Sequence, residues 1–194
     1  MRITKPPPSR TATLAALQQL LDAHSILRVV VAAHSYGTIV AAHMLRDPEV
    51  SKRVTAWFFA DPIPFLLHLP PVAYNFVYRP PRTANEWQLW YFASRDPDVA
   101  RVLARHFFWA ENVLWKEDLE GKDVAVLLSG LDQIVDSREV WQYLTGEERE
   151  PKCRWKQDRL EVLYYPDIDH AQAFDTAKRR RPFVDILHDF ARRT

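Results

Sequence analysis

The sequence is short of the residues that mark several large functional classes. Of its 194 residues only four are glycine, at positions 37, 121, 130 and 146. That spacing excludes both a GxGxxG dinucleotide cradle and a Walker-type phosphate loop, which need glycines a few residues apart so that backbone amides can close on phosphate. Cys153 is the one cysteine, so no internal disulfide and no thiolate metal cluster can form; it lies in a polar stretch and is given no role. Neither sign of charge is in excess: 26 Lys and Arg against 25 Asp and Glu give a formal charge of +1. Such a balance creates no long-range field to gather phosphates, and nucleic acid is not an expected partner. No HExxH motif or Cys/His cluster occurs, so neither a metal nor a cofactor is expected.

Long hydrophobic runs are missing too. The most apolar segments, around 54–67 and 124–131, are broken by Asp61, Pro62, Pro64 or Asp132, well short of the roughly 18 residues of a spanning helix. The N-terminus, MRITKPPPSR, runs into three prolines where a signal peptide would have its apolar centre. No membrane crossing is expected of this chain, and a cytoplasmic location is the default expectation.

What is present is the balance of a soluble chain folded around one core, 47% hydrophobic and 26% charged. Leu14, Leu17, Leu20 and Leu21 recur at helical spacing and predict a helix over about 11–24. LRVVVAA, residues 27–33, is a β-branched run without alternation, as expected of a central parallel strand covered on both faces. His34 to Gly37 then form a turn, and TIVAAHMLR reads as a helix that ends before Asp47-Pro48. RVTAWFF (53–59) and KDVAVLLS (122–129) are further strands, SREVWQYL (137–144) is a helix capped by Ser137, and RLEVLYY (159–165) is the last strand. A closing helix has Pro182 in its first turn and Phe183, Ile186, Leu187 and Phe190 on one face. Strands alternating with helices predict an α/β fold with a parallel sheet.

Residues 62–120 interrupt the alternation. They begin proline-rich and continue with helical-looking stretches that carry Trp87, Trp90, Tyr91, Phe92, Phe107, Phe108, Trp109 and Trp115; half of the chain's aromatic residues lie here. The expectation is a mainly helical cap over the strand ends, where ligands bind in open α/β sheets. Simple packing of these rings in the insertion's own core is the plain alternative. The division expected is therefore a core made of 1–61 and 121–194 and a cap of 62–120.

Chemistry concentrates at Ala33-His34-Ser35-Tyr36-Gly37. A small-x-Ser-x-small turn between a strand and a helix holds the serine at a strained backbone angle with its hydroxyl outward, which makes Ser35 the candidate nucleophile. The Tyr36 amide, at the helix start, points to where a substrate oxygen would gain charge. A serine needs a base, and seven histidines are available. His170, in the loop after the last strand, is the best placed to lean over the strand ends. His34 is expected to point away, and His43 and His188 fall on helices. The base needs a carboxylate: Asp132 follows one strand end, Asp61 follows its neighbour, and both remain open as the acid, with Asp132 preferred. Asp136 is expected to cap or precede the next helix. The basic tail, Lys178 to Arg181 with Arg192 and Arg193, reads as a solvated helix face.

With AHSYG, SGLDQIV and DIDHAQAF in the order Ser, Asp, His, the chain resembles the α/β-hydrolase superfamily over about residues 11–192, with an insertion where many members carry a lid. The resemblance implies a serine esterase or lipase-like activity, with Ser35 as nucleophile, Asp132 as acid, His170 as base and Tyr36 as one oxyanion donor. The substrate implied is a small apolar or lipid-like ester, cleaved without cofactor. A haloperoxidase-like or acyltransferase reaction would use the same three residues; serine at 35 argues against the dehalogenases and epoxide hydrolases, which place aspartate there. Ala33 stands where the elbow usually has its first glycine. Full members also have several strands ahead of the elbow, and a loop among them gives the second oxyanion donor; here 26 residues precede Leu27. The expectation drawn is the C-terminal part of a longer hydrolase lacking the N-terminal strands. The alternative is a catalytically inactive fragment or binding module.

Overall fold

A computed structural model describes residues 7–194. The reading of the N-terminal stretch falls, up to residue 6, outside the described residues. The chain runs α1 (Arg10–Ala23), β1 (Val29–His34), α2 (Gly37–Arg46), α3 (Pro48–Ser51) and β2 (Val54–Ala60). The insertion follows, with α4 (Pro70–Ala73), α5 (Ala84–Leu89), α6 (Pro97–His106) and α7 (Trp109–Asn112). The order resumes with β3 (Asp123–Ser129), α8 (Ser137–Thr145), β4 (Arg154–Gln157), β5 (Leu160–Tyr165) and α9 (Ala177–Arg192).

The strands form one sheet in the order β1-β2-β3-β5-β4. β1, β2, β3 and β5 are parallel, and β4 runs antiparallel to β5. Side-chain alternation sends Trp57, Phe59, Val124, Val126, Leu128 and Val162 into a core shared with α1, α2, α8 and the base of the insertion. The other face sends Phe58, Ala125, Leu127 and Leu163 against Phe183, Ile186 and Phe190 of α9. Two faces filled in this way explain why β2 and β3 are continuous apolar runs.

Several expectations need correction. β1 is not a central strand: it borders the sheet among the described residues and is only partly buried. Its β-branched run selects extended backbone and an apolar setting, which an inner and a border strand share. β4 had no counterpart in the sequence reading, because RWKQ carries one apolar residue; Arg154 and Lys156 reach from it to buried Glu161 of β5. The cap of α8 is Asp136, whose carboxylate accepts from the Glu139 amide at 3.1 Å, and Ser137 is the first helical residue. α9 starts at Ala177 behind the cap Thr176. Pro182 therefore lies inside it, where its missing N–H leaves only the Lys178 carbonyl without its helical donor.

The insertion is mainly helical and includes two π-helical stretches, Tyr74–Tyr78 and Trp90–Ser94. It hangs from α2: His43 Nε2 meets Asn112 Oδ1 at 2.9 Å, and Arg46 pairs with Asp118. Burial lowers the pKa of His43 against the opposing pull of the Asn112 hydrogen bond.

Candidate active site

Parallel strands end at one edge, and the ends of β1, β2, β3 and β5 are locked in line by the Ser35 amide on Ala60 O (3.0 Å), the Asp61 amide on Leu127 O (2.9 Å) and the Gly130 amide on Tyr165 O (2.7 Å). That edge carries Ser35, Tyr36, Asp61, Asp132 and His170. Ser35 follows β1 directly with φ +51, a left-handed conformation disfavoured for a residue with a Cβ. The Thr38 hydroxyl donates to the Ser35 carbonyl and accepts from the Ile63 amide at 3.1 Å, tying the elbow to the start of the insertion. Tyr36 sits in helical conformation at the head of α2, so its amide is among those a helix leaves without an internal partner.

Ser35 Oγ lies 2.8 Å from His170 Nε2, and His170 Nδ1 lies 2.7 Å from Asp132 Oδ2. The Asp132 side chain is 1% exposed and that of His170 12%. Asp132 is held from behind, since its Oδ1 accepts from the amides of Ile134 (2.7 Å) and Val135 (3.0 Å). Burial by itself draws the His170 imidazole down. The hydrogen bond and charge of Asp132, joined by the charges of Asp61 and Asp169, outweigh it and hold the ring above its ordinary value of 6.5.

Asp61 makes no hydrogen bond to the His170 ring. Its carboxylate accepts instead from the amides of Ser129 (3.1 Å) and Ala171 (2.8 Å) and lies 3.5 Å from His34 Nε2. His34, expected to point away, packs alongside His170 with ring centroids 5.1 Å apart. Alternation along β1 is what turns it there, since it points to the face opposite Ala33. Asp169 accepts from the Gln133 amide at 3.0 Å and from the Gln133 and Asn85 side-chain amides, so it joins the two loops and the insertion. Its place in DIDH, one residue before His170, was the only signal for it. The other histidines lie elsewhere: His43 serves α2, and the His68 ring lies tilted against Trp115 with centroids 5.0 Å apart.

Among the described residues, His34, Asp61 and His170 offer ligand atoms within 4.8 Å of one another. Both ring nitrogens of His170 are engaged, one by Ser35 and one by Asp132, so a metal bound there would have to break that chain of hydrogen bonds.

The insertion reaches this edge at several points. Asn75 donates to Ile134 O at 3.1 Å and Arg79 to Gln133 O at 2.7 Å, both in the loop after Asp132, while Phe107 lies 6.3 Å from the Tyr36 ring.

No protein-family model matches the sequence, and no curated protein is significantly similar to it. Solved structures do match. A serine hydrolase from the polyaromatic hydrocarbon-degrading bacterium Cycloclasticus zankles is 15% identical over 97% of this chain and 75% of its own, with a TM-score of 0.57. A meta-cleavage product hydrolase from Pseudomonas fluorescens is 16% identical over 98% of this chain and 75% of its own, with a TM-score of 0.55. An esterase from Pyrococcus furiosus is 14% identical over 100% of this chain and 65% of its own, with a TM-score of 0.56. At this identity the likeness is one of fold. The chain has part of the α/β-hydrolase fold, a mostly parallel sheet flanked by helices.

Proposed function

We propose that this chain, built on the α/β-hydrolase fold, is a serine hydrolase that cleaves a carboxylic ester or related acyl bond of an apolar substrate. The observation that carries the reading is the unbroken hydrogen-bonded run from Ser35 Oγ through the His170 ring to Asp132 Oδ2. In it, Ser35 Oγ attacks the acyl carbon while its proton passes to His170 Nε2. Asp132 keeps the Nδ1 proton in place and offsets the charge on the imidazolium. The Tyr36 amide donates to the oxygen that gains charge. His170 then returns the proton to the leaving alcohol, water enters by the same route in reverse, and Ser35 is released.

Residues 62–120 act as the cap in this reading. Its support is the contact of Asn75, Arg79 and Asn85 with the loops that carry Asp132 and His170. Phe107, whose ring lies 6.3 Å from that of Tyr36, favours an apolar substrate. A second reading is binding without turnover; the observation behind it is that β1 borders the sheet among the described residues, on the side from which a paired strand would bring a loop toward Tyr36. A second oxyanion donor is worth about 100- to 1,000-fold in rate.

Labelling with a fluorophosphonate probe separates the two. The wild-type chain is expected to be labelled and Ser35→Ala not; equal labelling of both, or of neither, overturns the hydrolase reading. Hydrolysis of a p-nitrophenyl ester by the wild type and not by Ser35→Ala overturns the binding-only reading.

A further inference from the structure

The reaction just proposed leaves a buried carboxylate unused. Asp61 is 1% exposed, and burying a charge is costly unless it is hydrogen-bonded or paired. Two amides donate to it, that of Ser129 to one oxygen and that of Ala171 to the other, and His34 Nε2 lies 3.5 Å from the second oxygen. With one amide donating to each oxygen, the site fits the carboxylate.

What those donors belong to is the informative part. His34 immediately precedes Ser35, Ala171 immediately follows His170, and Ser129 lies three residues before Asp132. One side chain thus touches the neighbour of the nucleophile, of the base and of the acid. The grip on Ala171 matters most, because that residue is in a left-handed conformation, φ +68, and a residue with a Cβ stays there only when its surroundings hold it. Asp61 has a left-handed φ of its own, +44, and its amide is tied to Leu127 O at 2.9 Å.

We propose that Asp61 is a positioning residue for His170, pinning the loop behind the ring through the Ala171 amide and keeping a second negative charge beside the imidazole that Ser35 protonates. His34 closes the open side of that carboxylate. This rests on the reading of His170 as the base. The charged and titratable groups facing His170 are Asp132, Asp61, Asp169 and His34; those facing Asp61 are His34 and His170. Asp132 and Asp169 are bonded to amides of residues 133–135 and not to Asp61, so Asp61→Asn removes one of the three carboxylate charges directly. The electrostatics agree. Burial pushes the Asp61 carboxyl up, but His34, the charge of His170 and the two amides outweigh it and hold it below its ordinary range.

The test is an NMR titration of the His170 ring, with Asp61→Asn set against wild type, together with the rate of fluorophosphonate labelling. Losing the charge is expected to lower the His170 midpoint by about one unit, and losing the loop anchor to slow labelling about 10- to 100-fold. A folded Asp61→Asn with an unmoved midpoint makes Asp61 merely structural and overturns the proposal, as does an unchanged labelling rate. Should the Asn amide, meeting donors on both sides, prevent folding, Asp61→Glu decides. It keeps the charge but displaces the anchor, so the midpoint should stay and labelling should slow; wild-type labelling or a displaced midpoint overturns the proposal. The titration reads the ring whether or not the chain turns over substrate, so a shifted midpoint in a protein that never labels would sink the hydrolase reading and leave the electrostatic coupling standing.

Discussion

The two oxygens of Asp132 have different tasks: Oδ1 binds the Ile134 and Val135 amides, and Oδ2 meets His170. Asp132→Asn can keep the first pair by turning its carbonyl oxygen to the amides, but it then offers a donor to Nδ1 and selects the wrong tautomer of the base. The expected result is a folded protein with kcat lowered by about 10⁴-fold, read from p-nitrophenyl ester hydrolysis beside a thermal melt that barely moves. The pH profile belongs to the same scale. In the proposed reaction His170 must be neutral to accept a proton, and it is held above 6.5, so the acid limb of kcat/KM should have its midpoint above 6.5, falling about tenfold per unit below it. A midpoint below 6.5 would show that burial outweighs the carboxylates.

Between residues and fold, two glycines separate what the site needs sterically from what it does not. A Cβ on Gly130, at the end of β3, would lie 2.6 Å from Pro166 O and 2.7 Å from its Cα. That neighbour is backbone and cannot turn aside, so Gly130→Ala must push β3 from the β5 loop and shift Asp132. A loss of about 1–3 kcal/mol in denaturant unfolding, with a larger loss of activity, is expected. Gly37, in the elbow, meets nothing within 4 Å; Gly37→Ala should fold and label as wild type does. A requirement for a small residue after the serine is therefore not one this position imposes on a single methyl. The link between α2 and the insertion offers another check. Asn112→Ala removes the partner of half-buried His43 and should cost about 1 kcal/mol without moving the acid limb of activity.

Stability and activity of the whole molecule should part with pH. Because the His170 pKa is raised on folding, its contribution to stability is complete below about 6.5 and is lost as pH rises through the higher folded value. Activity needs the opposite state of the ring. The melting-temperature difference between wild type and His170→Ala should thus shrink from pH 6 to 9 while wild-type activity rises. For Asp61 the carboxyl is held below its ordinary 3.8, so its contribution is complete above about 3.8 and is lost as pH falls through the folded value.

The strand-turn-helix around Ser35 was legible because it is local: an apolar β-branched run, small residues at the turn and a 3.6-residue apolar stripe lie consecutively in the chain. The order of Ser35, Asp132 and His170 was legible for the same reason, each following the end of a recognisable apolar strand. β4 was not, since its place is set by Glu161 across the sheet and not by its own pattern. The sequence determined that four apolar strands would end near one edge with a serine, two aspartates and a histidine beyond them. Only the tertiary structure shows which of the two aspartates meets the His170 ring. Asp61 and Asp132 follow adjacent strands, and the fold of the loop between β5 and α9 directs the ring nitrogen to one and the Ala171 amide to the other. That choice depends on distances across the sheet, which the order of residues along a chain does not specify.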